Sequence, residues 1–442
     1  MATVLALDVG SSSVRAQSFD DRADPVDELR KEEYEGGDPD EIVGLVRKAI
    51  GGRGEAAAAI GSSCFGHSLL ALAPDGKPLT PVLGWRDTRS SGAAEWLRRR
   101  VDPAAVQART GAHVHPSFWP SKLVWLAETE PDIFRGAARF VSFCDYLYEQ
   151  LLGAAPTCSL SIASGTGLLD LNAKRWDAEL LEVLKVDESR LPRISGEPHD
   201  NWYPAVIDGA CSNLGAGCTG RTRAALMVGT SGALRILYET ERAQPRPGLF
   251  LYRLDDRRVV EGGALSDGGN LPIWLNKTLA ASDEGFGARD PDDHGLTFLT
   301  FLGGERSIGW DPDAKGTIDG LTFDTTSRDI HQAALEGVAV RFSAIADLLP
   351  ELEEIVATGG GLLSDPGWIQ IMADVLARPV TASKVEEGSL RGAAVATLER
   401  LGHEAAEPPL GKVFHPRPDR ADAYRSARER QQRLYEELHG QD

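Results

Sequence analysis

Two short turns in this chain, Gly10-Ser11-Ser12-Ser13 and Gly229-Thr230-Ser231-Gly232, share one layout. Each follows an apolar, strand-prone run and leads into a second one that carries an arginine, Arg15 in the first copy and Arg235 in the second. Such turns present backbone N–H and hydroxyl donors, and the missing glycine Cβ lets an anion come close. Either turn alone reads as an ordinary hairpin. Occurring twice with the same layout, they point to phosphate, and Arg15 can add a charge-assisted contact.

Two carboxylates stand near such turns. Asp8, just before the first turn, suits a Mg²⁺ ion held through water, because Mg²⁺ keeps much of its hydration; it suits turn capping as well. Asp208 follows Val206-Ile207 and precedes Gly209. A carboxylate there, with little bulk beside it, can serve as a general base or close an Asx turn. Phosphate donors, a metal carboxylate and a base are the three requirements of phosphoryl transfer, and this sequence can supply all of them. Neither a GxxxxGK[ST] loop nor a GxGxxG after the first strand is present, which disfavours the P-loop and Rossmann solutions.

The elements that must position these residues follow from pattern. Thr3 to Leu7 and Val14 to Phe19 read as a hairpin, and a helix starts near Asp38-Pro39 with Ile42, Val46 and Ile50 at helical spacing. Strands and helices then alternate, the α/β pattern. Asp75 to Pro78 is a hairpin-type turn leading to Trp85-Arg86-Asp87-Thr88-Arg89, which reads equally as a binding loop or a salt-bridged surface loop. In Cys64-Phe65-Gly66-His67, the histidine is either a sugar-hydroxyl partner or a satisfied core residue. Glu354 to Ala357 reads as a strand ending in the loop Thr358-Gly359-Gly360-Gly361, with a helix over Pro366 to Leu376. The last segment, Ala421 to His439, reads as a charged amphipathic helix that packs.

Composition narrows the class. A chain of 442 residues favours two domains. Lys and Arg number 47 against 66 Asp and Glu, a formal charge of -19 that repels nucleic acid. The opening MATVLALDVG has no basic region before its apolar residues and no run is long enough to span a membrane, so a soluble, cytoplasmic protein with no membrane partner is expected. Five cysteines without CxxC spacing fit a reducing compartment. His113 and His115 lack neighbouring ligands at metal spacing, so no zinc site is expected there.

Taken in order along the chain, these segments resemble the FGGY family of carbohydrate kinases, and within it the gluconokinase branch. The matching pieces include Asp8 to Ser13, the segment from Gly66 through Trp85-Arg86-Asp87-Thr88-Arg89, Ser117 to Leu126, Ser159 to Leu171 and Asp208 to Gly215. Val228 to Arg235, Phe301 to Gly316, Ala334 to Val338 and Ala357 to Asp374 complete the series. The resemblance implies two ribonuclease-H-like, actin-like ATPase domains of α/β class with a central interdomain cleft, roughly 1–220 and 221–442, that bind ATP, Mg²⁺ and a small sugar or sugar acid. By position it makes Asp208 the catalytic base, sharing the metal site with Asp8. Ser11, Ser12, Ser13, Gly229 and Thr230 become phosphate contacts, and Gly269, Gly360 and Ser364 adenosine-side contacts. Phe65, His67, Trp85, Asp87 and Lys122 fall on the sugar side. The chain departs from the family in trimmed connections after Phe19 and between Asn276 and Leu299.

The expected reaction is ATP-dependent phosphorylation of D-gluconate to 6-phosphogluconate. A xylulose or other ketose or polyol kinase is the nearest alternative, and an actin-like ATPase without a sugar substrate the alternative of another class. Gluconate needs a cation or several N–H donors for its carboxylate, and Lys122, Arg86 and Arg306 are the candidate cations. A homodimer stays open.

Overall fold

A computed structural model describes residues 3–153, 157–279 and 289–440. The chain divides into two units, and neither is one continuous stretch. The first comprises Met1–Gly217, Leu237–Glu261 and Glu387–Glu407; the second comprises Cys218–Ile236, Gly262–Glu386 and Pro408–Asp442. The first change of unit, between Gly217 and Cys218, falls near the expected boundary at residue 220, and two later segments return to the first unit. Part of the trimmed connection between Asn276 and Leu299, residues 280–288, lies outside the described residues.

The first unit is built on a five-stranded sheet ordered Arg30–Glu33, Ser13–Phe19, Val4–Val9, Ala59–Cys64, Val206–Ile207. Val4–Val9 pairs antiparallel with Ser13–Phe19 and parallel with Ala59–Cys64, which pairs parallel with Val206–Ile207. Every residue of Val4–Val9 is buried, as its nearly unbroken apolar run requires of a central strand covered on both faces. The helix Pro39–Ile50 starts where the cap signal places it: the Asp38 carboxylate accepts from the N–H groups of Asp40 (2.9 Å) and Glu41 (3.3 Å), and Pro39 takes the first turn. The helix Gly388–Arg400 packs on Val4–Val9 and Ala59–Cys64 and against the helix Asp208–Gly215, where Arg391 Nη1 donates to the Gly215 carbonyl at 3.1 Å. Local pattern identifies that helix but not its distant sheet.

The second unit repeats the theme. In it Gly220–Val228 and the strand Gly232–Glu239, as far as Ile236, form a hairpin, and Glu354–Thr358 adds parallel to the first of them with Met227 opposite Thr358. Val380–Ser383 and Leu410–Phe414 extend the sheet. The helix Ser327–Asp347 begins in a capping box of Thr326 and Asp329 and packs against Pro366–Leu376. The closing helix Ala421–His439 buries Tyr424 and Gln431. The weak internal repeat of sequence thus corresponds to a repeated unit of structure: hairpin, then a parallel strand on its first arm.

Among the described residues no helix is long and apolar enough to cross a membrane, and all five cysteines are free and buried.

Candidate functional site

Asp8 lies inside a strand, one residue earlier than the turn that follows Val9. Its carboxylate accepts from Ser63 Oγ at 2.7 Å and from Arg15 Nη1 at 3.0 Å, the residues beside it on the two neighbouring strands. Its hydrogen-bond partners are thus side chains of the sheet, while Gly10 N–H closes the turn onto the Ser13 carbonyl at 2.9 Å, so turn capping is not what Asp8 does. Burial raises its carboxyl above the usual value, opposed by Ser63 and Arg15. Arg15 also meets Glu387 at 3.2 Å. Nη1 faces Asp8 and Nε faces Glu387, so Nη2 takes part in neither contact and is the part of Arg15 left for a phosphate oxygen. Ser11 and Ser12 stand exposed at the turn tip, whereas Ser13 is buried in the strand.

Asp208 is the first residue of the helix Asp208–Gly215, half-buried, with its Oδ1 accepting from Gly209 N–H at 2.8 Å. Register aligns Asp8, Ser63 and Val206 across three strands, and Asp208 stands two residues beyond Val206. Two strand spacings, about 10 Å, separate the backbones that carry the two carboxylates. Between them lies Cys64, whose thiol is pushed well up by burial, then by Cys144 beside it, with the charges of Asp208 and Asp8 adding to the effect. Such a thiol is inert.

The residue before Asp208 explains its placement. Ile207 fills the space between two glycines: a Cβ on Gly66 would meet Ile207 Cδ1 at 2.6 Å, and one on Gly165 would meet it at 2.5 Å. Gly165 in turn accepts a hydrogen bond from His67 Nδ1. Phe65 N–H donates to the Val9 carbonyl at 2.9 Å, and its ring stacks on Phe143 with centroids 5.4 Å apart. One connected cluster therefore carries Asp8, Phe65, His67 and Asp208. The His67 ring also meets Phe118 at 4.7 Å and Tyr252 at 5.5 Å, aromatic walls that the motifs did not reveal.

Lys122 is buried and donates to the His67 carbonyl at 2.5 Å and the Leu83 carbonyl at 3.0 Å. Burial pushes its ammonium down to about 7, against the pull of the Asp87 charge. It staples the His67 turn to the segment leading into Trp85, whose own carbonyl accepts from Ser117 Oγ at 2.9 Å. Two main-chain carbonyls take two of the three donors of its ammonium. Asp87 forms an ion pair with Arg89 at 2.5 Å; burial works against its ionisation, and Arg89 outweighs it, keeping the carboxyl below its usual value. Arg86 lies over the Trp85 ring at 4.8 Å.

In the second unit the glycines converge. A Cβ on Gly269 would meet the Gly229 carbonyl oxygen at 2.4 Å, and Gly359, with φ of 86°, leaves only 2.5 Å to the Val228 carbonyl oxygen. Gly269 N–H donates to the Gly229 carbonyl at 2.8 Å and Asn270 N–H to the Thr230 carbonyl at 3.0 Å. Thr230, Gly360 and Ser364 are exposed, and a Cβ on Gly360 would meet nothing within 4 Å. Gly360 and Gly361 belong to the helical turn Gly360–Leu363, a correction to the expected open loop. The result is a backbone cradle lined by main-chain groups and open on one side, a surface suited to a nucleotide's phosphates.

Asp267 sits at the edge of that cradle and was not singled out in the sequence. It is buried, accepts from Leu302 N–H at 3.2 Å, and is pushed up to about 7 by burial, with Leu302 and Gly303 N–H groups opposing. The strand–carboxylate–glycine grammar that marks Asp8 and Asp208 recurs in Leu265-Ser266-Asp267-Gly268-Gly269 and could have found it. Elsewhere in this unit Asp292, His294 and Glu336 bring ligand-type atoms within 4.8 Å of one another, with Arg430 Nη1 bonded to Asp292 at 2.8 Å.

Residues 3–200 match the N-terminal domain of the FGGY family of carbohydrate kinases, and residues 224–398 match its C-terminal domain. A gluconokinase of Bacillus subtilis (strain 168) is 28% identical over 405 residues, covering 81% of this chain and 79% of its own. A xylulose kinase of Staphylococcus xylosus is 29% identical over 360 residues, covering 74% of each chain. Among solved structures, a gluconate kinase from Lactobacillus acidophilus superposes with a TM-score of 0.88 at 25% identity, over 99% of this chain and 98% of that one.

Proposed function

Because this chain belongs to the FGGY family of carbohydrate kinases, we propose that it phosphorylates D-gluconate at the 6-hydroxyl with ATP as phosphoryl donor. The observation that carries the catalytic reading is the seat of Asp208: half-buried at a strand end, beside the Ile207 wedge that joins it to His67 and Gly165. A carboxylate so held can accept the proton of a substrate hydroxyl as its oxygen attacks the γ-phosphorus and ADP departs.

The remaining roles follow from position. His67, Trp85 and Asp87 orient the sugar, with Phe65 and Lys122 fixing the turn that presents His67. Ser11 and Ser12, exposed at the first turn, and Thr230, exposed at the second, are hydroxyl donors suited to phosphate oxygens, while Gly269, Gly360 and Ser364 serve the adenosine side. Asp8 and Asp208 are the oxygen donors that would hold Mg²⁺; a buried carboxylate whose counter-ion Arg15 is shared with Glu387 is a donor that fits a hydrated divalent cation. When bound, Mg²⁺ supplies neutralisation of charge on the transferring phosphates.

The gluconate assignment rests on the Bacillus subtilis gluconokinase and the Lactobacillus acidophilus gluconate kinase. A coupled ADP assay over D-gluconate, D-xylulose, glycerol and further polyols tests it. Gluconate is expected to give the largest kcat/KM; a much larger value for a ketose or for glycerol would remove the assignment.

A further inference from the structure

A gluconate ion approaching this site meets carboxylates: Asp8, Asp208 and Asp87 all belong to the same unit as His67, and the whole chain carries a formal charge of -19. A carboxylate can be met by a cation or by several N–H donors, and a cation that is neither paired nor buried also offsets the surrounding negative charge. Arg15 is held by Asp8 and Glu387. Arg89 is held by Asp87 through Nη2 at 2.5 Å and Nε at 2.9 Å, with its guanidinium over Trp125 at 4.6 Å. Lys122 is buried against the His67 and Leu83 carbonyls. Arg306 lies in the second unit, buried.

Arg86 differs from all of these. It is exposed, its guanidinium rests over the Trp85 ring at 4.8 Å, and among the described residues it makes no ion pair. A guanidinium's planar fork of N–H donors is the geometry that meets both oxygens of a carboxylate, and its seat over the ring restricts the side chain in advance of binding. The backbone that carries it is tied to the sugar-side residues: Lys122 bonds both Leu83 and His67, Leu69 and Leu83 exchange main-chain bonds at 3.0 and 3.1 Å, and Ser117 holds the Trp85 carbonyl.

We infer that Arg86 is the specificity-determining residue that receives the substrate's carboxylate, with Trp85 as its platform. This deepens the gluconate reading and rests on it.

Arg86→Gln and Arg86→Lys, made in the full chain, are assayed with D-gluconate alongside wild type. The glutamine variant is expected to raise the KM for gluconate about 10–100-fold with a much smaller change in kcat, the range a charge-assisted bidentate contact gives. Lysine, a point charge without the fork, recovers only part of the loss. A gluconate KM within about 2-fold of wild type in Arg86→Gln, or a fall in kcat with KM unchanged, overturns the inference. Equal loss for gluconate and for a neutral alditol of the same length, measured as a competing ligand, overturns it too, since the effect would then be one of loop shape. Failure of the gluconate reading itself looks different: wild type would not turn over gluconate at all, before any variant is compared.

Discussion

Lys122 Nζ donates to the His67 carbonyl at 2.5 Å, and His67 holds a left-handed backbone with φ of 65°. A histidine in that region is uncommon and persists only where its surroundings fix it. Here the fixing groups are Lys122 on its carbonyl and Gly165 on its ring. Lys122→Met keeps the length of the side chain and removes the donor. It is expected to destabilise the fold by about 1–3 kcal/mol, because two buried carbonyls lose their partner. It should also raise the KM for sugar more than the KM for ATP. Denaturant unfolding and steady-state kinetics on one preparation check both; equal shifts in the two KM values would dissociate Lys122 from the sugar side.

Asp208→Asn retains shape and the contact with Gly209 N–H while removing the proton acceptor. Sugar phosphorylation is expected to fall by about 10²–10⁴-fold, with ATP affinity nearly unchanged in a direct binding titration. An unchanged kcat would take Asp208 out of the mechanism.

Two glycines of the cradle separate a packing role from a contact role. A Cβ on Gly359 would press on the Val228 carbonyl oxygen at 2.5 Å, and the residue's φ is 86°, so Gly359→Ala is expected to lower stability by more than about 1 kcal/mol. Gly360→Ala adds its methyl to open space and should leave the melting temperature close to wild type. If its KM for ATP nevertheless rises several-fold, Gly360 faces the nucleotide; unchanged KM would remove it from that surface.

Stability should depend on pH with opposite slopes at two buried groups. The ammonium of Lys122 is depressed from 10.5 to about 7, so between those values the unfolded chain binds a proton that the folded chain lacks, and stability rises with pH. The carboxyl of Asp267 is raised from 3.8 to about 7; the folded chain keeps a proton that the unfolded chain has lost, and stability falls as pH rises through that window. Each slope is bounded at about 1.4 kcal/mol per pH unit. Unfolding free energies of wild type minus Lys122→Met should climb from about pH 7 upward. The same difference against Asp267→Asn should decline toward about pH 7 from below. A flat difference curve for either variant would refute that group's shift.

Much of this protein could be read from the order of its residues. Local grammar is written in neighbouring positions, which is why the opening hairpin, the Asp38 cap and the two glycine–hydroxyl turns emerge from pattern alone, whereas the helix that starts at Asp208 does not. The motif series also suffices to identify the family, since many weak matches in one order are jointly specific. What the sequence could not determine is which side chains are already engaged. Arg15 reads as wholly free for phosphate, whereas Glu387, 372 positions later (387 minus 15), stands beside its Nε. Lys122, Arg86 and Arg306 are equal candidates as letters. Only packing buries one against two carbonyls, stacks another on Trp85, and assigns the third to the other unit. Likewise, no local signal returns Glu387–Glu407 to the first unit or sets Ile207 between Gly66 and Gly165. Charge and hydrogen-bonding capacity belong to the residue type and are legible in one dimension; whether that capacity is free for a substrate depends on neighbours that only folding brings together.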